Sequence, residues 1–179
     1  MLRNVIVGAL LIMTCGAFAK PTNGWVEYCK VHIEDCTVNE KEPLSIKLTD
    51  SMWVILNKIN VLVNRQIIPV TDMEKYGELD VWEIPTDDMG DCEDYSLMKR
   101  MLLQQAGFPH RAMRMTVVIE PQQTGHAVLT IMTDRGELIL DNLTDKVVTR
   151  KEATYYVFNK IEDGHGQWIY FEETKKMTN

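Results

Sequence analysis

The chain has 179 residues, a formal net charge of −7 and an isoelectric point near 5.1. That length favours a single domain, and the acidity argues against nucleic acid and anionic membrane surfaces as partners. Its 4 cysteines point to cross-linking or thiol chemistry, which composition alone does not choose between.

Residues 1–19 read as a secretory signal peptide. Arg3 gives a short positive start, Val5 to Met13 form an apolar run, and Ala17-Phe18-Ala19 places small residues where a signal peptidase reads, so cleavage is expected after Ala19. The run is too short for a membrane span, which needs about 20 residues. Cys15, preceded by Thr14, fits a lipid-attachment site poorly. Residues 20–179 then form the exported domain, with no membrane insertion of its own and more acidic still once Arg3 is lost. Cys29, Cys36 and Cys92 remain. In an oxidising compartment Cys29 and Cys36, close in sequence, are a natural disulfide pair. Cys92 is left over, either as a buried apolar thiol or as a reactive one.

Residues 20–44, with Pro21 and Pro43, read as an irregular strap. From Ser45 the pattern turns helical: Ile46, Met52, Leu56, Ile59 and Leu62 or Val63 recur at three- and four-residue steps as far as Asn64 or Gln66, before Pro69. Residues 70–90, with Gly77, Pro85 and Gly90, read as a long loop. Its acids between Asp72 and Asp88 read as a solvated face; Trp82 either lines a cleft or buries the loop. A second helix starts at Asp91, an N-cap, with Asp94 in the capping-box position. Tyr95, Met98, Leu102 and Ala106 form its buried stripe, Lys99 and Arg100 face outward, and Gly107 with Pro109 ends it. The period then becomes two. Met113–Ile119, His126–Met132 and Glu137–Asp141 read as strands, with further strands near Tyr155–Asn159 and Gln167–Phe171. Helices followed by strands predict an α+β domain with an antiparallel sheet.

Cys92 falls in the first turn of the second helix, where free N–H groups and the helix dipole favour a thiolate. Such a nucleophile needs a base and a group to orient it. His32 lies in the strap, His110 follows a proline and His165 lies between glycines; His126 opens a strand at a sheet edge. Asp141 closes the next strand of the same hairpin and is placed to fix the His126 tautomer. If Thr133 pairs with Gly136, Asp141 is one diagonal step from His126 on the same face. If Gly136 bulges and Thr133 pairs with Glu137, the two side chains point to opposite faces, and Thr-Asp-Arg-Gly suits the bulge.

These residues resemble the bacterial transglutaminase-like cysteine proteinases, papain-like enzymes of the bacterial periplasm. The resemblance is carried by Tyr28-Cys29 with Cys36, Val61-Leu62-Val63-Asn64, Asp72, Tyr76-Gly77, Asp80-Val81-Trp82 and Pro85. Most densely it rests on Gly90-Asp91-Cys92-Glu93-Asp94-Tyr95 with Lys99-Arg100, Gly125-His126-Ala127-Val128-Leu129, and Leu140-Asp141-Asn142-Leu143. It implies a papain/transglutaminase-like core, with the nucleophile helix packed on an antiparallel sheet, and a catalytic Cys92-His126-Asp141 triad in a cysteine peptidase. It also implies calcium at Asp91 and Glu93, a protein substrate such as a surface adhesin, and an inner-membrane regulatory receptor for cyclic diguanylate. Two carboxylates are short of the 6–8 oxygens calcium takes, and N-capping and the helix dipole explain Asp91 and Glu93 without a metal. Two other functions stay open on the residues: a non-enzymatic, calcium-structured binding module, and acyl transfer to an amine.

Overall fold

The computed structural model describes residues 18–172. The expected signal peptide lies outside the described residues except for Phe18 and Ala19, which form strand β1 (Phe18–Ala19). Helices α1 (Asn23–Val31) and α2 (Ile33–Cys36) follow, joined by the Cys29–Cys36 disulfide. The expected irregular strap is thus largely helical. Thr22 caps α1 by accepting the Trp25 amide at 3.2 Å, and Trp25 and Tyr28 bury its inner face.

Helix α3 (Asp50–Gln66) begins at a Thr49 cap rather than at Ser45. Ile46, counted in the helical pattern, instead bridges to Thr133 and packs in the core. The segment read as a loop holds the two-residue strands β2 (Ile68–Pro69) and β3 (Met89–Gly90), paired in parallel, and the short helix α4 (Asp72–Lys75), whose Thr71 and Glu74 make a full capping box. Helix α5 (Cys92–Gln105) starts where the Asp91 cap predicts, and Gly107 stops it at a φ of +88°.

Lys99 and Arg100 do not face outward. Lys99 is 0% and Arg100 1% exposed. The cause is tertiary: α5 packs against both α3 and the sheet, and its exposed residues, Gln104 and Gln105, come only in its last turn. Arg100 donates from Nη1 to Glu162 Oε2 at 3.1 Å, and its guanidinium lies 5.1 Å from the Trp25 ring centre. It therefore ties α1 to the sheet.

That sheet contains β1, β4 (Met113–Ile119), β5 (Gly125–Thr133), β6 (Gly136–Asp141), β7 (Thr144–Thr149), β8 (Val157–Glu162) and β9 (Trp168–Tyr170). It has 7 strands in the order β1-β9-β8-β4-β5-β6-β7, with every pair antiparallel. The expected α+β architecture is observed. Strand β7 was not anticipated, because Thr144-Asp145-Lys146 carries no apolar alternation. Leu56, Met113, Met115, Leu129 and Ile131 form the core between helices and sheet; Val118, Val128, Ile139, Phe158 and Phe171 form a second core on the opposite face. Burial on both faces holds the sheet rigid where it carries β5 and β6.

Candidate active site

Cys92 is the first residue of α5 and the one free cysteine among the described residues, half-buried. Its helix is fastened to β5: Ser96 Oγ donates to the Cys92 carbonyl at 2.9 Å and lies 3.4 Å from the Ala127 carbonyl. Cys92 Sγ accepts the Ala127 amide at 3.3 Å, and the thiol donates to Glu93 Oε2 at 3.1 Å. The helix start does not by itself acidify the thiol. Burial and the Glu93 carboxylate push it well above its ordinary value, against the opposing pull of the Ala127 amide.

The β5–β6 hairpin adopts the simple register, Thr133 opposite Gly136 and Met132 opposite Glu137, without the bulge. His126 and Asp141 consequently share a face, and His126 Nε2 donates to Asp141 Oδ1 at 2.9 Å. Asp141 is 1% exposed. Its Oδ1 also accepts the Leu143 amide at 3.0 Å, and its Oδ2 accepts the Tyr156 hydroxyl at 2.6 Å. Burial alone would raise the Asp141 carboxyl, but the His126 and Tyr156 hydrogen bonds hold it below its ordinary value. From α3, Asn64 Nδ2 donates to the carbonyls of Asp141 at 2.9 Å and Thr144 at 3.0 Å, and Asn60 Nδ2 to Thr144 at 3.0 Å. Two asparagines thus pin the turn that presents Asp141.

Tyr156 and Asn60 have no equivalent in the sequence-based reading, since neither lies near a chemistry-bearing motif. Asn64 ends the Val61–Asn64 block, but its role is visible only in three dimensions.

Beside Cys92 lies an acidic cluster larger than the expected pair. Ligand-capable atoms of Asp91, Cys92 and Glu93 lie within 4.8 Å of one another, as do those of Asp72, Asp91 and Asp94. The acids of this loop are not uniformly solvated: Asp72 is buried and accepts the Val81 amide at 2.6 Å, and Asp80 accepts those of Gly24 at 2.6 Å and the Trp82 indole at 2.8 Å. Burial and the adjoining Asp91 push Glu93 up to about 9; burial, with Asp91 and Asp72, pushes Asp94 up to about 7. Both Asp94 oxygens are engaged by amides, from Glu83 at 2.9 Å and Asp91 at 3.3 Å. Asp91 Oδ1, by contrast, is buried without a hydrogen-bond partner among the described residues. Crowded carboxylate oxygens with an unused buried acceptor fit a hard cation.

The cleft over Cys92 has a volume of about 360 Å³. Thr22, Leu79, Trp82 and Val117 wall it, and Cys92, Glu93 and His126 open into it. Trp82 serves both expected roles: it lines the cleft and is itself buried, edge-on to Trp25 with ring centres 5.3 Å apart. Gly24 is required beneath it, since a Cβ there would come within 2.5 Å of the Asp80 carbonyl and of Trp82.

Three solved structures of LapG from Legionella pneumophila share this fold. A calcium-bound form is 22% identical, with a TM-score of 0.58 over 74% of this chain and 81% of that one. An EGTA-treated form is 26% identical, with a TM-score of 0.58 over 70% of each chain. A third is 26% identical, with a TM-score of 0.57 over 69% of each. No curated protein sequence matches the chain. The family description "bacterial transglutaminase-like cysteine proteinase" matches residues 15–176. The chain belongs to that family and is a cysteine peptidase.

Proposed function

We propose that Cys92 is the nucleophile, His126 its base and Asp141 the group that orients the base. The observation that carries this is the His126–Asp141 hydrogen bond on the wall of the cleft into which Cys92 opens. With Nε2 committed to Asp141, His126 Nδ1 is the nitrogen that exchanges a proton with the thiol. Cys92 Sγ attacks the peptide carbonyl, and His126 takes the thiol proton and returns it to the departing amine. Water then hydrolyses the acyl-enzyme by the reverse proton path. The Cys92 backbone N–H, at a helix start, is one donor to the oxyanion.

Asp91 and Glu93, with Asp72, would hold a calcium ion, which supplies positive charge beside the thiol. The carboxylate crowding and the calcium-bound form of a structural relative support this. The residues 1–19 pattern supports export to the periplasm, with residues 20–179 as the working domain and an envelope or surface protein as substrate. Among the described residues no helix is long and apolar enough to cross a membrane.

The test is incubation of the protein with envelope and surface proteins, in calcium or in chelator, with new N-termini read by mass spectrometry. Cleavage products that appear with wild type and not with Cys92→Ala are expected. Identical N-termini from the two proteins would overturn the assignment.

A further inference from the structure

A second hollow, of about 470 Å³, opens beside the catalytic cleft. The cleft is walled in part by Cys92 and His126, the second hollow by Asp141 and Tyr156, and the 2.9 Å His126–Asp141 hydrogen bond links the two walls. Pro121, Leu143, Val148 and Tyr155 give the second hollow an apolar character. Its acids are Glu120 and Asp141, and among the described residues no lysine or arginine lines it. Both acids already have partners: Glu120 accepts the Thr124 hydroxyl at 2.8 Å, and Asp141 is engaged by His126, Leu143 and Tyr156.

Two rim residues stand where the fold has no use for apolar side chains. Strand β6 ends at Asp141 and β7 starts at Thr144, so Asn142 and Leu143 form a two-residue turn. Glycine and short polar residues are the usual occupants of such a turn, yet Leu143 is here, 62% exposed. Tyr155 is 46% exposed and lies edge-on to buried Tyr156, with ring centres 4.4 Å apart. Neither is loosely held. Asn60 and Asn64 pin the turn, and Asp141 fixes the Tyr156 hydroxyl. A contiguous exposed apolar patch marks a binding surface, and one already ordered takes a ligand at little entropic cost.

We propose that this hollow is a specificity subsite, which takes an aliphatic or aromatic side chain of the protein substrate at one fixed position near the scissile bond. This rests on the Cys92-His126-Asp141 assignment. Continuity names the occupant: the catalytic pair itself forms the boundary, so a chain whose carbonyl lies at Cys92 Sγ runs on past His126 into the hollow. The His126 and Tyr156 ring centres are 5.6 Å apart. An extended chain advances roughly 3.3 Å per residue, which puts the bound side chain about two to four positions from the scissile bond. An acidic side chain is rejected, because it would meet Glu120 and Asp141 with no cation to pair with.

The test incubates wild type, Leu143→Ser, Tyr155→Ser, Leu62→Ser and Cys92→Ala, in calcium, with peptides from a digested envelope proteome, and reads the cleavage sites by mass spectrometry. One cleaved peptide and its analogue with serine at the preferred position then give kcat and KM. In wild type, one position about two to four residues from the scissile bond should be rich in aliphatic and aromatic residues and poor in Asp and Glu. The serine analogue should be cleaved roughly tenfold less efficiently, the discrimination an apolar pocket supplies. In Leu143→Ser and Tyr155→Ser that preference shrinks, through a higher KM on the apolar peptide with kcat largely kept, as for lost uniform binding. Leu62→Ser removes an exposed leucine that lines neither hollow and keeps the wild-type preference. A flat wild-type profile at those positions, a preference unchanged in both rim variants, or a loss that falls on kcat alone overturns the subsite and leaves the peptidase reading standing. Wild-type cleavage no different from Cys92→Ala overturns the nucleophile assignment, and the subsite with it.

Discussion

Replacing Tyr156 by Phe removes one oxygen and leaves the ring where it packs. The lost contact is the 2.6 Å hydrogen bond to Asp141 Oδ2, at a carboxylate 1% exposed that water cannot reach to compensate. A hydrogen bond to a charged group is worth about 1.5–3 kcal/mol net. For a domain of this size each kcal/mol moves the melting temperature by about 2–4 °C, so Tyr156→Phe should lower it by about 3–12 °C at pH 7. The sign with pH follows from Asp141, whose folded-state carboxyl lies below its ordinary value partly because of Tyr156. Its contribution is present above the unfolded carboxylate pKa and is lost as pH falls through the folded one. The gap between wild type and Tyr156→Phe should therefore be full near neutrality and close in acid. His126 and Leu143 still hold Oδ1, so peptidase activity should fall roughly tenfold rather than vanish, as for a loosened orienting group. Calorimetry across pH and peptide cleavage measure both effects. An unchanged melting temperature at pH 7, or a difference that persists in acid, would refute the reasoning.

Gly90→Ala should unfold at lower temperature and lose activity, because a Cβ there comes within 2.7 Å of Asp94 Cβ and nearer still to its Oδ2; calorimetry and cleavage check it, and wild-type values would count against the Asp94 contact. Calcium at about 100 times its dissociation constant should stabilise the fold by about 2.7 kcal/mol, a shift reversed by chelator and strongly reduced in Asp72→Asn and Glu93→Gln. An equal calcium shift in all three proteins would remove these residues from the site. The buried Lys99 predicts its own pH signature. Its folded-state value of about 7 lies below the ordinary lysine value of 10.5, so the unfolded chain binds more protons between those limits and stability rises with pH across them. The excess slope over Lys99→Met should approach about 1.4 kcal/mol per pH unit, measured by denaturant unfolding from pH 7 to 10.5.

Periodicity and capping made α5, the β4–β6 strands and the positions of Cys92, His126 and Asp141 legible, because each is written within a few residues of itself. The hairpin register was not. Thr-Asp-Arg-Gly suits a bulge, and the unbulged pairing is fixed by the apolar residues of β5 and β6 reaching both cores. Lys99 and Arg100 read as solvated because their chemistry is local while the cover over α5 is tertiary. Asp72 read as solvated for the same reason, although its carboxylate accepts the Val81 amide and its own amide donates to Asp91, the residue before Cys92. Tyr156 and Asn60 act at long range on a carbonyl or a carboxylate, and no spacing rule links them to Asp141.

Asp141 gathers its partners from across the chain: Asn64 on α3, His126 on β5, Leu143 in the turn and Tyr156 just before β8. The Asn64 contact spans 77 residues and waits on the closing of a long loop, whereas His126 and Tyr156 each lie 15 residues from Asp141. On the proposed assignment, a chain in which α5 has not yet packed on β5 carries the Cys92 thiol apart from its base. Peptidase activity would then wait on the packing of α5 against β5.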